Sequence, residues 1–213
     1  TLQYGMTFTG LSMLDASLAI IIIHLEVPLS VLLAAIVLKD KPGSQRILGM
    51  LISFAGIVLI AGQPSLSGQL RAILLTAGGA MMWAVGQVMV KRLENPPSGF
   101  ALTAWIGVFS GPQMILGSFI FEESQLESLA NASWIGWGVI LYLALIMTVL
   151  GYGIWYRVLS RNPVSKVMPV MLLLPVFTIA SSMFFLGEQP SPMIFIGAAV
   201  VIGGVSMIVI TKD

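Results

Sequence analysis

The chain contains no cysteine, one histidine and few charged residues. The missing thiols exclude disulfide bonds and thiolate metal sites. Charged residues make up 9% of the 213 residues, whereas soluble domains carry about 25%. A water-soluble fold could not cover its surface with so few charges. With a net charge of +1 and no basic patch interleaved with aromatic residues, the sequence also gives no support to nucleic-acid binding.

What the chain has in abundance is apolar side chains, at 57% of its residues and a mean hydropathy of +0.99. A helix that crosses the hydrocarbon core of a bilayer needs about 20 such residues. The chain therefore predicts an all-α integral membrane protein, a multi-helix bundle. Charge clusters, proline and glycine divide it into seven predicted spans: 15–38, 45–62, 70–90, 99–121, 133–159, 163–187 and 192–211.

The charges separate when the loops between these spans are taken alternately. Nine of the ten basic residues fall in every second loop: Lys39, Lys41, Arg46, Lys91, Arg92, Arg157, Arg161, Lys166 and Lys212. The other loops hold Arg71 and the acids Asp15, Glu122, Glu123, Glu127 and Glu188. Basic loops remain on the cytoplasmic side. We therefore expect a multi-pass protein of the cell membrane, the inner membrane if it is bacterial, with a cytoplasmic C-terminus.

The chain also resembles itself at an offset of 148 residues. Pro28 and Pro175, each near the middle of a predicted span, are one residue out of this register. The positions in register are Tyr4-Gly5 with Tyr152-Gly153, Leu11 with Leu159, Ser17 with Ser165, Leu38-x-Asp40-x-Pro42 with Leu186-x-Glu188-x-Pro190, and Gly49 and Gly56 with Gly197 and Gly204. The shared order of these motifs predicts an internal repeat.

The second copy of the repeat, residues 69–212, holds five predicted helices. An odd number of crossings places the two copies in opposite orientations, as in many secondary transporters. Residues 1–62 then form the last two and a half helices of the first copy, because Thr1 corresponds to Val149 in the middle of a helix. We expect about 80 further residues before Thr1 and ten helices in full, with about seven and a half present here.

One long segment carries a resemblance to a known family. The stretch "TVLGYGIWYRVLSRNPVSKVMPVMLLLPVFTIASSMFFLGEQP" at 148–190 resembles the second half of an EamA-type repeat of the drug/metabolite transporter superfamily. The matching features are the Gly-Tyr-Gly around Tyr152, the mid-helix Pro175 and the Leu-Gly-Glu at 186–188. The stretch "AMMWAVGQVMVKRL" at 80–93 is similar to the sixth helix of that family.

The first copy departs from the family pattern, since Lys39-Asp40 replaces the usual Gly-Glu. The resemblance implies ten helices, cytoplasmic termini and export of amino acids or related small metabolites. It implies a small-molecule substrate and the lipid bilayer as partners, with no cofactor and no nucleic acid. We expect a monomer.

Two ionisable residues interrupt the apolar run "IIIIHLEVPL" at 20–29. An acid at mid-helix costs about 2.5–3.5 kcal/mol, so His24 and Glu26 should face a cavity or polar partners. At about 100° per residue the two side chains point about 200° apart. Pro28 frees the carbonyl of His24 and should bend the helix there. One of the two could orient a substrate amine, or both could serve only to hold the bundle together; proton coupling and facilitated diffusion are both open.

Further candidates for substrate contact lie on other spans. Trp83 and Gln87 are four residues apart and share a helix face; their alternative role is ordinary packing. Tyr4 and Tyr152 hold equivalent places in the two copies and could flank a central site, or anchor helices at the membrane interface.

Met171, close to Pro175, is a weaker candidate in a proline-containing helix. The small residues are predicted to be packing surfaces, since they let helix backbones approach closely. They are Gly49, Ser53, Gly56, Gly197, Gly203 and Gly204.

These features favour a secondary transporter that exports amino acids or similar metabolites by alternating access, with the substrate in a central cavity between the two repeats. Efflux of multiple drugs or lipophilic cations is the alternative within transport, since Glu26 suits a cation too. An integral-membrane enzyme is disfavoured, because the chain has one histidine, no cysteine and no H-E-x-x-H motif. An ion channel is also disfavoured, because no ring of charges or filter loop is visible.

Overall fold

The structure, a computed structural model, describes residues 1–14, 16–40, 42–62, 69–121, 123–187 and 189–210, and these are helical with short connections. Five of the charged residues behind the topology prediction lie outside the described residues: Asp15, Lys41, Glu122, Glu188 and Lys212. The helices are α1 (Leu2–Leu11), α2 (Ala16–Ile23), α3 (Glu26–Val37), α4 (Ser44–Ala61), α5 (Leu70–Arg92), α6 (Gly99–Phe121), α7 (Gln125–Ala130), α8 (Trp134–Tyr142), α9 (Gly153–Arg161), α10 (Val164–Val167), α11 (Leu174–Leu186) and α12 (Pro192–Ile210).

Seven helical stretches of the described chain are long and apolar enough to cross a membrane: Leu18–Val37, Ser44–Ala61, Leu70–Arg92, Gly99–Phe121, Trp134–Arg161, Val164–Phe185 and Pro192–Ile210. The prediction of an all-α membrane protein with seven spans is confirmed. Three of the spans are not uniform α-helices. The first is interrupted between α2 and α3, the fifth contains a π-helical stretch at Leu143–Tyr152, and the sixth contains a 3₁₀ stretch at Met168–Leu173.

The chain forms two compact units. The smaller unit, here the 93–161 unit, comprises Leu93–Arg161 together with Thr1. In it α6 packs against α9 at Gly99, where an added Cβ would meet the carbonyl oxygen of Gly153 and lie 3.0 Å from the amide nitrogen of Arg157. Glycine at this position therefore permits backbone-to-backbone contact between the two helices. The larger unit, here the main unit, comprises Leu2–Arg92 and Asn162–Asp213.

The most extensive helix packing of the main unit is the crossing of α4 and α12. A Cβ on Gly49 would lie 2.6 Å from the carbonyl oxygen of Gly204, and one on Gly56 would lie 2.8 Å from that of Gly197. Between these two contacts the Ser53 hydroxyl donates a hydrogen bond of 3.2 Å to the Val201 carbonyl. Because low residue numbers on α4 meet high ones on α12, the two helices run antiparallel.

Across this crossing, each glycine contacts the other glycine of the matching pair and not its own sequence match. At an offset of 148, Gly49 matches Gly197 and Gly56 matches Gly204, yet Gly49 contacts Gly204 and Gly56 contacts Gly197. Such an exchange is what a two-fold relation between two like elements produces. The packing role predicted for these glycines agrees with the structure, but the prediction is wrong for Gly203, whose Cβ position has no atom within 4 Å.

Helix α5 is the centre of the main unit, since α1, α2, α3 and α10 all contact it. Close approach of α1 again depends on glycine. A Cβ on Gly10 would lie 2.8 Å from the amide nitrogen of Thr76, and one on Gly79 would lie 3.0 Å from that of Thr7. The two helices therefore run antiparallel along the first half of α5.

The ends of α3 and α11 show a second repeated feature. Gly187 ends α11 with φ of 67°, and Lys39, 148 residues earlier, has φ of 58°. This left-handed conformation favours glycine, because a side chain there crowds the backbone. The departure of Lys39 from the family's usual glycine therefore changes the residue but keeps the backbone conformation.

Candidate functional site

The first transmembrane span is broken where the sequence predicts a bend. Helix α2 ends at Ile23 and α3 begins at Glu26, which leaves His24 and Leu25 in a turn. Pro28 has no N–H to donate to the His24 carbonyl. The carbonyl instead accepts a hydrogen bond of 3.2 Å from the Val27 N–H. The break is therefore a direct consequence of the proline four residues further on.

His24 lies at this break with 6% of its surface exposed. Its Nδ1 is 2.7 Å from the Ile20 carbonyl oxygen. A carbonyl only accepts hydrogen bonds, so Nδ1 must carry a hydrogen, and in the neutral ring Nε2 is then an acceptor. Nε2 is buried and has no hydrogen-bond partner in the described part of the chain. The break thus presents an unused acceptor inside the span.

Glu26 is the first residue of α3 and is half-buried. Its carbonyl oxygen accepts a hydrogen bond of 2.6 Å from the Ser30 hydroxyl. Its carboxylate makes no hydrogen bond or ion pair with any residue that the structure describes. A carboxylate at the start of a helix is favoured by the helix dipole, and the 12 residues of α3 provide one. The position at the start of α3 therefore stabilises the charge of Glu26, but the carboxylate oxygens still lack hydrogen-bond donors.

The second broken span lies at the equivalent place in the repeat. Adding 148 to the numbers of His24 and Leu25 gives Leu172 and Leu173, the last residues of the 3₁₀ stretch Met168–Leu173. Helix α11 follows it at once, with Pro175 as its second residue. The two interruptions therefore lie at positions that match at the offset of 148 residues.

Two predicted site residues belong to this second span. Pro175 is buried and Met171 is half-buried. The residues of the 3₁₀ stretch are all apolar, so this interruption offers a substrate no ionisable group. Its chemistry differs from that of the first break.

Trp83 and Gln87 lie on α5, which contacts α2, α3 and α10 and so adjoins both broken spans. Gln87 is 1% exposed, and Trp83 is half-buried with its indole nitrogen out of reach of solvent. The structure brings the helices that carry His24, Glu26, Trp83 and Gln87 together in the main unit.

The two predicted tyrosines lie in different units. Tyr4, in the main unit, stacks on Phe8 with ring centroids 5.9 Å apart. Tyr152, in the 93–161 unit, stacks on Tyr156 at 6.1 Å. Both contacts join residues four apart on one helix face. A shared site for the two tyrosines remains a prediction.

A groove of about 500 Å³ runs along α11. It is lined by Leu174, Phe177, Thr178, Ser181, Ser182 and Phe185. The hydroxyls of Thr178 and Ser182 donate to carbonyls of their own helix, at 3.0 Å each. Because the face of one helix lines the groove, it does not enclose a ligand. None of the predicted site residues lines it.

A half-buried polar cluster, here the Asp40 cluster, was not predicted from the sequence. The Asp40 carboxylate accepts hydrogen bonds from the Ser165 amide at 3.0 Å and from the Ser165 hydroxyl at 2.7 Å. Arg46 donates from Nη1 to the Ser165 hydroxyl oxygen at 3.5 Å. Ser165 is 1% exposed and Arg46 is 4% exposed, while Lys91 interacts electrostatically with Asp40.

The repeat contained a signal for this cluster. Asp40 matches an acid in the second copy and Ser165 matches a serine in the first, and polar matches are rare in so apolar a chain. In the sequence, the basic residues indicate only the topology. Arg46 is buried beside a serine 119 residues away in the sequence. The distribution of charges along the chain could not predict this contact.

Comparison with known proteins identifies the family. The model of the EamA-like transporter family matches residues 1–62 and 70–210. The chain belongs to this family. It is 28% identical over 211 residues to a "Probable amino-acid metabolite efflux pump" of Salmonella typhimurium, covering 95% of this chain and 70% of the relative. A relative of the same name from Escherichia coli is 26% identical, with the same coverage.

An "Uncharacterized transporter" of Bacillus subtilis is 28% identical, over 93% of this chain and 66% of its own length. A solved crystal structure matches with a TM-score of 0.82 at 19% identity, covering 97% of this chain and 71% of that one. It supports the fold. This EamA-like protein is therefore a multi-pass membrane transporter and not an enzyme, as the sequence predicts.

Proposed function

We propose that this EamA-like transporter exports amino acids or related small metabolites by alternating access, with the substrate held beside the two helix breaks. The observation that carries the proposal is the interruption of both repeats at equivalent positions, at His24–Leu25 and in the 3₁₀ stretch. Interrupted helices in corresponding halves mark the substrate site of many secondary transporters. The names of the Salmonella and Escherichia coli relatives support this class of substrate.

The chemistry of the first break favours a substrate with an amino group. His24 offers Nε2 and Glu26 offers a carboxylate, and both are hydrogen-bond acceptors without a described partner. An ammonium group has three donors and a positive charge. It would therefore satisfy whichever of the two residues faces the substrate, within a span where unsatisfied polar groups are costly.

We assign supporting roles to the remaining candidates. Gln87 has amide donors that a substrate carboxylate could accept from, and Trp83 provides an apolar surface one helical turn away. Met171 and Pro175 would form the apolar wall at the second break, with Tyr4 at its margin. We further propose that the protein lies in the bacterial inner membrane as a monomer, with the basic loops and the C-terminus in the cytoplasm.

The proposal is tested by transport into inverted membrane vesicles that contain the intact protein. The panel comprises labelled amino acids and one lipophilic cation, each with and without a pH gradient. We expect uptake of amino acids. Uptake of the cation alone would replace the proposed substrate class with drug efflux, and uptake of neither would contradict the proposal.

Substitution of Glu26 tests the site itself. Glu26→Gln removes the charge and retains the shape, and we expect transport to fall by about tenfold or more, the effect of losing a charge-assisted hydrogen bond. Glu127→Gln, at an exposed acid of α7, is the matched control and should transport normally. Normal transport by Glu26→Gln, at equal amounts of protein in the membrane, would remove Glu26 from the site.

Two substitutions of His24 separate its two nitrogens. In His24→Asn the amide reaches about as far as Nδ1 and can still donate to Ile20, whereas in His24→Gln it reaches about as far as Nε2. If Nε2 contacts the substrate, the glutamine variant should retain more transport than the asparagine variant, by about fivefold. The reverse order would indicate that His24 only stabilises the break.

A further inference from the structure

We propose that the Asp40 cluster is the gate that closes the cytoplasmic end of the transport pathway, between the two broken spans. The proposal rests on the transport function and the orientation proposed above. It concerns the passage to the substrate site and assigns no substrate contact to Asp40, Ser165 or Arg46.

The position of the cluster joins one copy of the repeat to the other. Asp40 follows the end of α3, the second part of the first broken span, and Ser165 is the second residue of α10, where the second broken span begins. The residues are 125 apart in sequence. Helix α3 contacts both α10 and the 3₁₀ stretch, so the two spans meet on the Asp40 side of their breaks.

The backbone at the end of α3 sets the direction of the Asp40 side chain. The N–H groups of Leu38 and Asp40 both donate to the Ala34 carbonyl, at 2.9 and 3.2 Å. Lys39 between them takes the left-handed conformation that reverses the chain at a helix end. This cap holds Asp40 in position to receive two hydrogen bonds from Ser165.

The charges around Asp40 explain how a carboxylate is held in this contact. It receives two charge-assisted hydrogen bonds from one residue. The buried guanidinium of Arg46 adjoins the same hydroxyl, and the Lys91 ammonium adds a second positive charge nearby. The cluster therefore stabilises the closed arrangement of α3, α4, α5 and α10.

The nature of the contact suits a gate better than a permanent joint. At the α4–α12 crossing, glycine backbones are in contact. If these helices separated inside the membrane, water could not replace the packing contacts that they lose. The Asp40 cluster consists of polar groups among the basic loop residues, where water can replace each hydrogen bond when α3 and α10 separate. The closed arrangement can therefore break and re-form during a transport cycle.

The 213 residues contain no cysteine, so single-cysteine labelling gives a direct test once any cysteine elsewhere in the intact protein is replaced by serine. Ser30→Cys places a nearly isosteric reporter on α3 between Glu26 and Asp40, at a position that is 0% exposed. A membrane-impermeant maleimide is added to inverted vesicles, where it has access to the cytoplasmic face. The experiment uses the intact protein without substrate.

We expect Asp40→Asn to raise the labelling rate of the reporter by about tenfold, because the closed state loses its charge-assisted hydrogen bonds. Glu94→Gln, which changes an exposed acid in the loop after α5, is the matched control and should leave the rate unchanged. Equal labelling rates in Asp40→Asn and its parent would overturn the gate while leaving the export proposal intact.

A second variant tests the gate by locking it closed with a covalent bond. Asp40→Cys combined with Ser165→Cys, in the chain without the reporter, allows oxidation to a disulfide that holds the two spans together. We expect oxidation to stop transport and a reductant to restore it. Undiminished transport by the cross-linked protein would show that these spans need not separate, and the gate would then be rejected.

Discussion

The two broken spans of the main unit share a backbone plan and differ in chemistry. Both are interrupted at positions 148 residues apart, and both end in the left-handed conformation, at Lys39 and at Gly187. The first span has two ionisable residues at its break, His24 and Glu26, whereas the second break is apolar. The same interruption therefore occurs twice, and of the two breaks the first has ionisable side chains whereas the second has apolar ones.

The interruptions also differ in extent. In the first span only His24 and Leu25 leave the α-helical pattern, because Pro28 alone disturbs it. In the second span the six residues Met168–Leu173 adopt 3₁₀ geometry, with Pro169 inside the stretch and Pro175 just after it. The second interruption is therefore the longer of the two.

The largest expected effect concerns the α4–α12 crossing. In Gly204→Val the new side chain would meet the Gly49 carbonyl and the Ser53 hydroxyl, and we expect a loss of about 3 kcal/mol or more in stability, since overpacking at backbone contact has no easy relief. Gly203→Val enters open space and is the control. The amount of folded protein in the membrane is the measurement, and equal amounts would contradict the close crossing.

Replacing the two prolines tests whether the breaks are alike. Pro28→Ala restores an N–H that can reach the His24 carbonyl, so the first span should straighten and transport should fall by about tenfold while thermal stability rises. Pro175→Ala leaves Pro169 in place, and we expect a loss of only about twofold to threefold. Transport rates at matched amounts of protein decide the comparison. Similar losses of transport in the two variants would mean that both breaks contribute equally to transport.

The ends of the two spans allow a reciprocal exchange. Lys39→Gly relieves a side chain in the left-handed region and should stabilise the protein by about 1 kcal/mol, whereas Gly187→Lys should destabilise it by about the same amount. Thermal unfolding in detergent measures both changes. A destabilised Lys39→Gly would indicate that the Lys39 side chain makes a contact worth more than the backbone strain.

The smallest effect is expected at the apolar break. Met171→Leu conserves volume and removes no polar group, so we expect transport to change by less than about twofold. Because Met171 is half-buried in the 3₁₀ stretch, a larger loss would show that its sulfur or its flexibility contributes to substrate binding. The transport rate of the variant is measured in the same vesicle assay.

Prediction from the sequence succeeded where one residue acts on its own helix. Pro28 predicts the break at His24 because a missing N–H affects a carbonyl four residues back, with no help from neighbours. Prediction from the sequence was less successful where a neighbouring helix determines which residues make contact. Gly203 and Gly204 differ by about 100° around α12, and only the placement of α4 makes one a contact and leaves the other open.

The candidate site shows the same division. Hydropathy and the cost of burying charge indicate His24 and Glu26 as candidates. The tautomer of His24 follows from its distance to Ile20, and the unused Nε2 follows from the surroundings of the folded chain. The Asp40 cluster lies further from prediction, because Asp40 and Ser165 are separated by 125 residues and no local pattern pairs them.

The amino-acid sequence by itself determined that this is a membrane protein and how many times the described chain can cross the membrane. The opposite orientation of its two copies stays a prediction from the repeat. These properties depend on hydrophobic length, on the parity of the repeat and on single prolines, all of which are local or additive along the chain. The tertiary structure alone decided which glycines allow backbones to touch, which nitrogen of His24 remains available, and which serine receives the charge of Asp40. Those outcomes depend on how each helix is rotated against its neighbours. The faces of membrane helices are all apolar, so the sequence gives little indication of which face makes the contact.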